Sequence, residues 1–126
     1  MDLFGHVFEN MILRDLIVYA DSHGGKIMHY RDDTGLEADA VYQMSDGRYA
    51  LIEIKTGSNA VPAAEKNLML FEQLIEEHNE AVSRNTDHPG VIYRKPSFRI
   101  IICANAPIAF TTENGTMVIP AGCLKD

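Results

Sequence analysis

Asp39, Glu53 and Lys55 have the residue types and spacing for metal-assisted hydrolysis. Side chains two apart on a strand share a face. In a strand over residues 36 to 44, Glu37, Asp39, Val41 and Gln43 line one face. In a second strand over residues 48 to 55, Leu51, Glu53 and Lys55 line one face, with Ala50, Ile52 and Ile54 on the other. Whether the acids meet depends on the turn between the strands. A two-residue Asp46-Gly47 turn sets Asp39 opposite Ile54 and sends Asp39 and Glu53 to opposite faces. A three-residue Ser45-Asp46-Gly47 loop, with Gly47 in the left-handed position of a bulge, pairs Met44 with Arg48. It brings Asp39 opposite Glu53 and Glu37 opposite Lys55, all on one face, and this is the register expected.

Carboxylates set opposite one another repel and weaken a sheet. A divalent cation or a shared proton relieves that repulsion. Mg²⁺ suits a site of one or two carboxylates that leaves room for waters and a substrate phosphate. Lys55 beside such an ion would orient or help deprotonate an attacking water and stabilise charge on the phosphate. The chemistry would be phosphodiester hydrolysis. The plainer alternative is a surface ion pair between Glu37 and Lys55, worth about 0–1 kcal/mol. A further acid, Glu9, lies on a helix face among Gly5, Ile12, Leu13 and Leu16. Its plainer role there is a hydrogen-bonded partner for a nearby arginine or lysine.

The elements that must position these groups follow from periodicity and breakers. Residues from about 3 to 22 read as a helix, with Asp2 as a candidate N-cap and Gly24-Gly25 ending it. Phe4, Phe8, Met11, Ile12, Leu16 and Tyr19 recur at helical spacing and form its broad apolar face. Lys26 to Arg31 is a short strand, and Asp32-Asp33-Thr34-Gly35 a turn. Pro62 suits the first turn of a second helix that runs to about residue 84, with Ala64, Leu68, Phe71, Ile75, His78 and Val82 on one face. Thr86 to Pro96 is a polar loop. Phe98 to Ala104 is nearly all apolar, as a central strand covered on both faces would be. Ile108 to Thr112 and Thr116 to Ile119 form a hairpin around Asn114-Gly115. The order α-β-β-β-α-β-β-β predicts an α/β (α+β) fold, with helices packed on a mixed sheet.

Composition narrows the function. At 126 residues the chain is read as one domain, 1–126, of an ordinary globular kind, with 46% apolar and 23% charged residues. No apolar run approaches the roughly 18 residues of a membrane helix, and no secretory leader opens the chain, so a cytoplasmic protein is expected. Cys103 and Cys123 lie far apart with no zinc-site spacing, and are read as free thiols. Asn114-Gly115-Thr116 is a turn rather than a glycosylation site. The net charge of −7 opposes phosphate binding, which draws most of its affinity from basic surface. A nuclease of this composition must borrow positive charge from another domain or subunit. The helix starting almost at Met1 suggests a fragment of a larger protein.

Other polar residues carry less. His6, His23, His29, His78 and His88 show no ligand spacing, and His78 on an apolar helix face reads as a satisfied core residue. Lys66 is read as solvated, with phosphate contact the alternative. Arg94, Lys95 and Arg99 form a basic cluster assigned to a solvated loop.

A combination of motifs adds to this reading. Gly5-x-x-Phe8-Glu9, Tyr30-Arg31-Asp32, Gly35-x-Glu37-x-Asp39 and Ile52-Glu53-Ile54-Lys55-x-Gly57 follow one another at intervals resembling the PD-(D/E)xK nuclease-like domain found at the C-terminus of prokaryotic AAA+-type ATPases. The resemblance covers roughly residues 4 to 80, and more loosely 98 to 104 and Val118-Ile119-Pro120. It implies a restriction-endonuclease-like α-β-β-β-α-β core with an extra C-terminal hairpin. It also implies that Asp39, Glu53 and Lys55 match the nuclease signature, with Asp39 and Glu53 as Mg²⁺ ligands and Glu9 as the helix-borne acid that joins them. The implied partner is an N-terminal ATPase domain of the same protein. ATP would bind there, since this chain holds no GxxxxGK[ST]. Two functions stay open: a Mg²⁺-dependent nuclease acting on nucleic acid, or a non-catalytic interaction or oligomerisation domain that regulates the ATPase. A free-standing metabolic enzyme has no nucleophile–base pair or phosphate loop to support it.

Overall fold

The computed structural model describes residues 3–31, 37–85 and 90–124, the last without its side chain. The elements are helix α1 (Leu3–Ser22), strands β1 (Lys26–Arg31), β2 (Glu37–Gln43) and β3 (Tyr49–Lys55), helix α2 (Val61–Arg84), and strands β4 (Phe98–Cys103), β5 (Phe110–Thr111) and β6 (Met117–Pro120). The six strands form one mixed sheet in the order β1-β2-β3-β4-β6-β5. β1, β2 and β3 pair antiparallel, β3 with β4 and β4 with β6 parallel, and β5 with β6 antiparallel. This is the expected α+β order. The expected N-cap Asp2, the turn Asp32 to Gly35 and residues 86–89, including His88, fall outside the described residues.

Each face of the sheet carries one helix. On one side, Ala38, Leu51, Ile101, Cys103 and Val118 pack against Val61, Ala64, Leu68 and Phe71 of α2. On the other, Ala40, Ala50, Ile52, Ile54 and Ile102 pack against Ile12 and Leu16 of α1. Removing one of the larger of these side chains, a leucine, isoleucine, valine or phenylalanine, from water contributes about 1.5–3 kcal/mol. The alternation Ile101/Ile102 serves both layers and makes β4 the covered central strand its sequence predicts.

Local chemistry sets the ends. Gly24 has a φ of +74° and Gly25 N–H donates to the Ala20 carbonyl at 2.9 Å, which closes α1. Pro62 opens α2, where its missing N–H costs nothing. Among the described residues no helix is long and apolar enough to cross a membrane. Both cysteines are free thiols.

The packing corrects three expectations, the α1 face, His78 and Arg99, while Lys95 stays in the exposed loop. The buried face of α1 is Gly5, Ile12, Leu16 and Ala20, while Phe4 (65% exposed) and Met11 (48%) point outward. Apolar residues surround this helix, so periodicity alone could not set its phase. His78 is exposed rather than core, with its Nε2 2.9 Å from the Val91 carbonyl. Arg99 lies on β4, not in a loop. It donates to Glu72 at 2.6 Å and to Thr116 Oγ at 3.0 Å, tying α2 to the β5–β6 end of the sheet. Lys95 pairs with Glu76 at 2.7 Å and Glu72 at 3.6 Å.

Candidate functional site

The β2–β3 hairpin has the three-residue register. Gln43 pairs with Tyr49, Tyr42 with Ala50, Val41 with Leu51 and Ala40 with Ile52. Met44 N–H donates to the Arg48 carbonyl at 2.7 Å, and Gly47 N–H to the Met44 carbonyl at 3.0 Å. Gly47 has a φ of +89°, a conformation that disfavours any residue with a Cβ. Asp46 accepts from Arg48 N–H at 3.0 Å and Nε at 2.7 Å, which holds its carboxyl below the usual range.

Carried one step past Ala40 and Ile52, this register sets Asp39 opposite Glu53. The ladder changes character there. By the rhythm of an antiparallel pair, Ile54 N–H would donate to the Ala38 carbonyl. It donates instead to Asp39 Oδ2 at 2.7 Å. The cause is visible on the other edge of β2. Met28 pairs with Val41, but Tyr30 pairs with Ala38, so Asp39 and Ala40 together oppose His29. This bulge re-aims the side chains N-terminal to it. Ala38 turns to the α2 layer although Ala40 faces α1. Glu37 turns with the opposite parity and pairs with Arg31 at 3.3 Å. The expected Glu37–Lys55 pairing on a common face is therefore corrected.

The remaining site residues do converge. The Asp39 carboxyl lies within hydrogen-bond reach of the Glu53 carboxyl and of the Glu9 carboxyl from α1. Glu53 is 5% exposed. Lys55 Nζ is 3.9 Å from Glu53 Oε2. Burial of Glu53, the adjacent Asp39 charge and the hydrogen bond between them push its carboxyl up to about 8, against the pull of Lys55 and Asn67. Burial, and then Asp39, also raise Glu9, with His6 opposing. The expected basic partner of Glu9 is replaced by carboxyls: Asp39 touches it, and the Glu37 charge acts on it as well. Both raised groups, Glu53 and Glu9, therefore favour the protonated form more than an exposed carboxyl does.

Asn67 completes the site and was not singled out by its sequence. Its Nδ2 donates to Glu53 Oε1 at 2.8 Å and to the Glu37 carbonyl at 3.1 Å. It sits one turn before Phe71 and three residues after Ala64, so the available signal was an amide on the buried stripe of α2. Lys66, in contrast, lines a separate surface depression with Glu65, Glu72 and Glu76.

Chemically, the corner offers closely set carboxyl oxygens, an ammonium about a third exposed and a fixed amide. Among the described residues no set of three or more His, Cys, Asp or Glu side chains is arranged to hold a metal ion. The pair Asp39 and Glu53 matches the number of protein carboxylates that Mg²⁺ uses when it keeps its waters. Their oxygens are of the type and number such an ion takes, once the proton held on Glu53 is lost.

No match was found among curated proteins or among solved structures. Residues 4–124 match the family described as domain of unknown function DUF4143, and with nearly the whole chain inside that match the protein belongs to this family.

Proposed function

We propose that this chain is a nuclease-like module of the PD-(D/E)xK kind that hydrolyses nucleic-acid phosphodiesters with Mg²⁺ held by Asp39 and Glu53. The observation that carries the reading is the meeting of Glu9, Asp39 and Glu53 at the splayed end of the β2–β3 pair, beside Lys55. A bound Mg²⁺ would supply Lewis-acid activation of water and phosphate. Glu53 must first give up its proton, and Asn67 holds its carboxyl in place while it does. Lys55, about a third exposed, can donate to a phosphate oxygen or to the attacking water. Glu9, held above its ordinary range, can accept the proton that water loses as its oxygen bonds to phosphorus. The bond from phosphorus to the leaving sugar oxygen breaks, and that oxygen takes a proton from solvent. On this reading the chain serves an attached AAA+-type ATPase, which would bind the ATP, and it acts in the cytoplasm. Divalent-dependent cleavage of DNA or RNA tests it. Lys55→Ala should lose cleavage, and equal activity in Lys55→Ala and wild type would count decisively against catalysis.

A second reading, a non-catalytic interaction or oligomerisation domain that regulates the ATPase, is favoured by the outer face of α1. Leu3, Phe4, Val7, Met11 and Val18 are exposed there, opposite the buried Ile12 and Leu16. The net charge of −7 points the same way, since it opposes nucleic-acid binding. Size-exclusion chromatography with light scattering tests it. A strictly monomeric chain that neither binds the ATPase part nor alters its activity would remove this reading.

A further inference from the structure

We infer that the aromatic cavity beside the carboxylate corner is a base-binding pocket, and that the substrate is therefore single-stranded nucleic acid; this rests on the nuclease reading above. The cavity measures about 680 Å³ and opens between α2, the β1–β3 side of the sheet and the segment that includes Tyr93. That volume falls in the range of about 300–1,000 Å³ typical of small-ligand sites. Tyr30, Tyr49, Phe71 and Tyr93 line it with aromatic rings, and His29 and His78 add polar atoms. Tyr30 and Phe71 meet edge to face, with ring centroids 4.8 Å apart and planes at 73°.

Three links tie this cavity to the corner. Leu51 lines the cavity and Glu53 lies two residues further on the same strand, about 7 Å away. Phe71 lines it one turn after Asn67, the residue that holds Glu53. His29 lines it as well, and its Nδ1 is 3.4 Å from the Asp39 carbonyl. A nucleotide with its phosphate at Asp39, Glu53 and Lys55 would thus have its base directed to the cavity across the width of one sugar.

Strand state follows from this geometry. A base in a duplex is paired and stacked, and enters a side pocket only by flipping out. A base in a single strand is free to enter, and stacking on an aromatic ring strengthens binding by about 5- to 150-fold per base. An acidic chain gains little from phosphate attraction. With a net charge of −7, base contacts would have to supply most of the affinity.

The test is fluorescence anisotropy with a dye-labelled oligothymidylate, alone and annealed to its complement, at low salt with Ca²⁺ replacing Mg²⁺ to suppress cleavage. The single strand should bind at least about tenfold tighter than the duplex. Tyr30→Ala should weaken it by about 5- to 150-fold, and Tyr30→Phe, which keeps the ring, should not. Should Tyr30→Ala fail to fold, Tyr93→Ala is read in its place. Equal affinity for both strand states, no binding of either, or an alanine variant that binds like wild type would overturn the inference. A Mn²⁺ titration of the same protein separates the two failures. Mn²⁺ binding without strand preference overturns the base pocket alone, whereas absent Mn²⁺ binding overturns the nuclease reading beneath it.

Discussion

Replacing Glu53 by glutamine should remove a large part of the protein's sensitivity to alkaline pH. Burial and Asp39 raise the Glu53 carboxyl from an ordinary 4.5 to about 8. A raised carboxyl keeps a proton in the native state that the unfolded chain releases. Its contribution to stability is fully present below about pH 4.5 and is lost as pH rises through about 8. The whole window corresponds to at most about 5 kcal/mol at about 1.4 kcal/mol per pH unit. Between about pH 6 and pH 8 the loss is about 2 kcal/mol. For a domain of this size that is a fall of roughly 6–10 °C in Tm. Glutamine reproduces the protonated form, accepting from Asn67 and donating to Asp39, so Glu53→Gln should not show this component. The assay is thermal unfolding followed by circular dichroism, in metal-free buffer, for both proteins across that range. Every other titrating group is present in both, so the difference between their Tm values reports Glu53 together with the carboxyl it bonds, Asp39. That difference should widen by roughly 6–10 °C toward pH 8 in favour of the variant. Parallel curves would refute the reasoning.

Further expectations concern the supports of the site. Asn67→Ala leaves a buried acceptor on Glu53 unpartnered and should cost about 1–3 kcal/mol in urea unfolding; no change would mean that Asn67 does not hold the carboxyl. Arg99→Met leaves the largely buried Glu72 with Lys95 alone, at 3.6 Å, and should cost about 1–3 kcal/mol by the same measurement, with the β5–β6 amides losing hydrogen-exchange protection first. Gly47→Ala forces a Cβ into a φ of +89° and should cost about 1–2 kcal/mol without changing the hairpin register, as backbone NMR contacts between Met44 and Arg48 would show.

The parts of the site that were legible in the sequence are those fixed by local chemistry. Ser45-Asp46-Gly47 carries its own turn geometry, and that sets the register which brings Asp39 level with Glu53. Lys55 follows by alternation along β3. The bulge at Asp39 and Ala40 was not legible, because Glu37, Asp39 and Val41 look like regular alternation and only pairing with His29 of β1 exposes the extra residue. The misplaced partner of Glu37 follows from that. The orientation of α1 was hidden for a different reason: Phe4, Val7, Met11 and Val18 give its outer side as much apolar character as Ile12, Leu16 and Ala20 give its inner side. Asn67 reaches Glu53 from 14 residues away in the chain, a link set by the docking of α2 rather than by any spacing within β3.

The most direct measurement of the central claim is Mn²⁺ binding to the wild-type chain, Asp39→Asn and Glu53→Gln, by calorimetry in buffers of different ionisation enthalpy. Wild type should bind a divalent ion and release close to one proton near pH 7, because Glu53 holds a proton there that a metal ligand must lose. Both variants should lose most of the affinity. No binding by wild type, or binding that survives in both variants without proton release, would contradict a metal corner at Asp39 and Glu53.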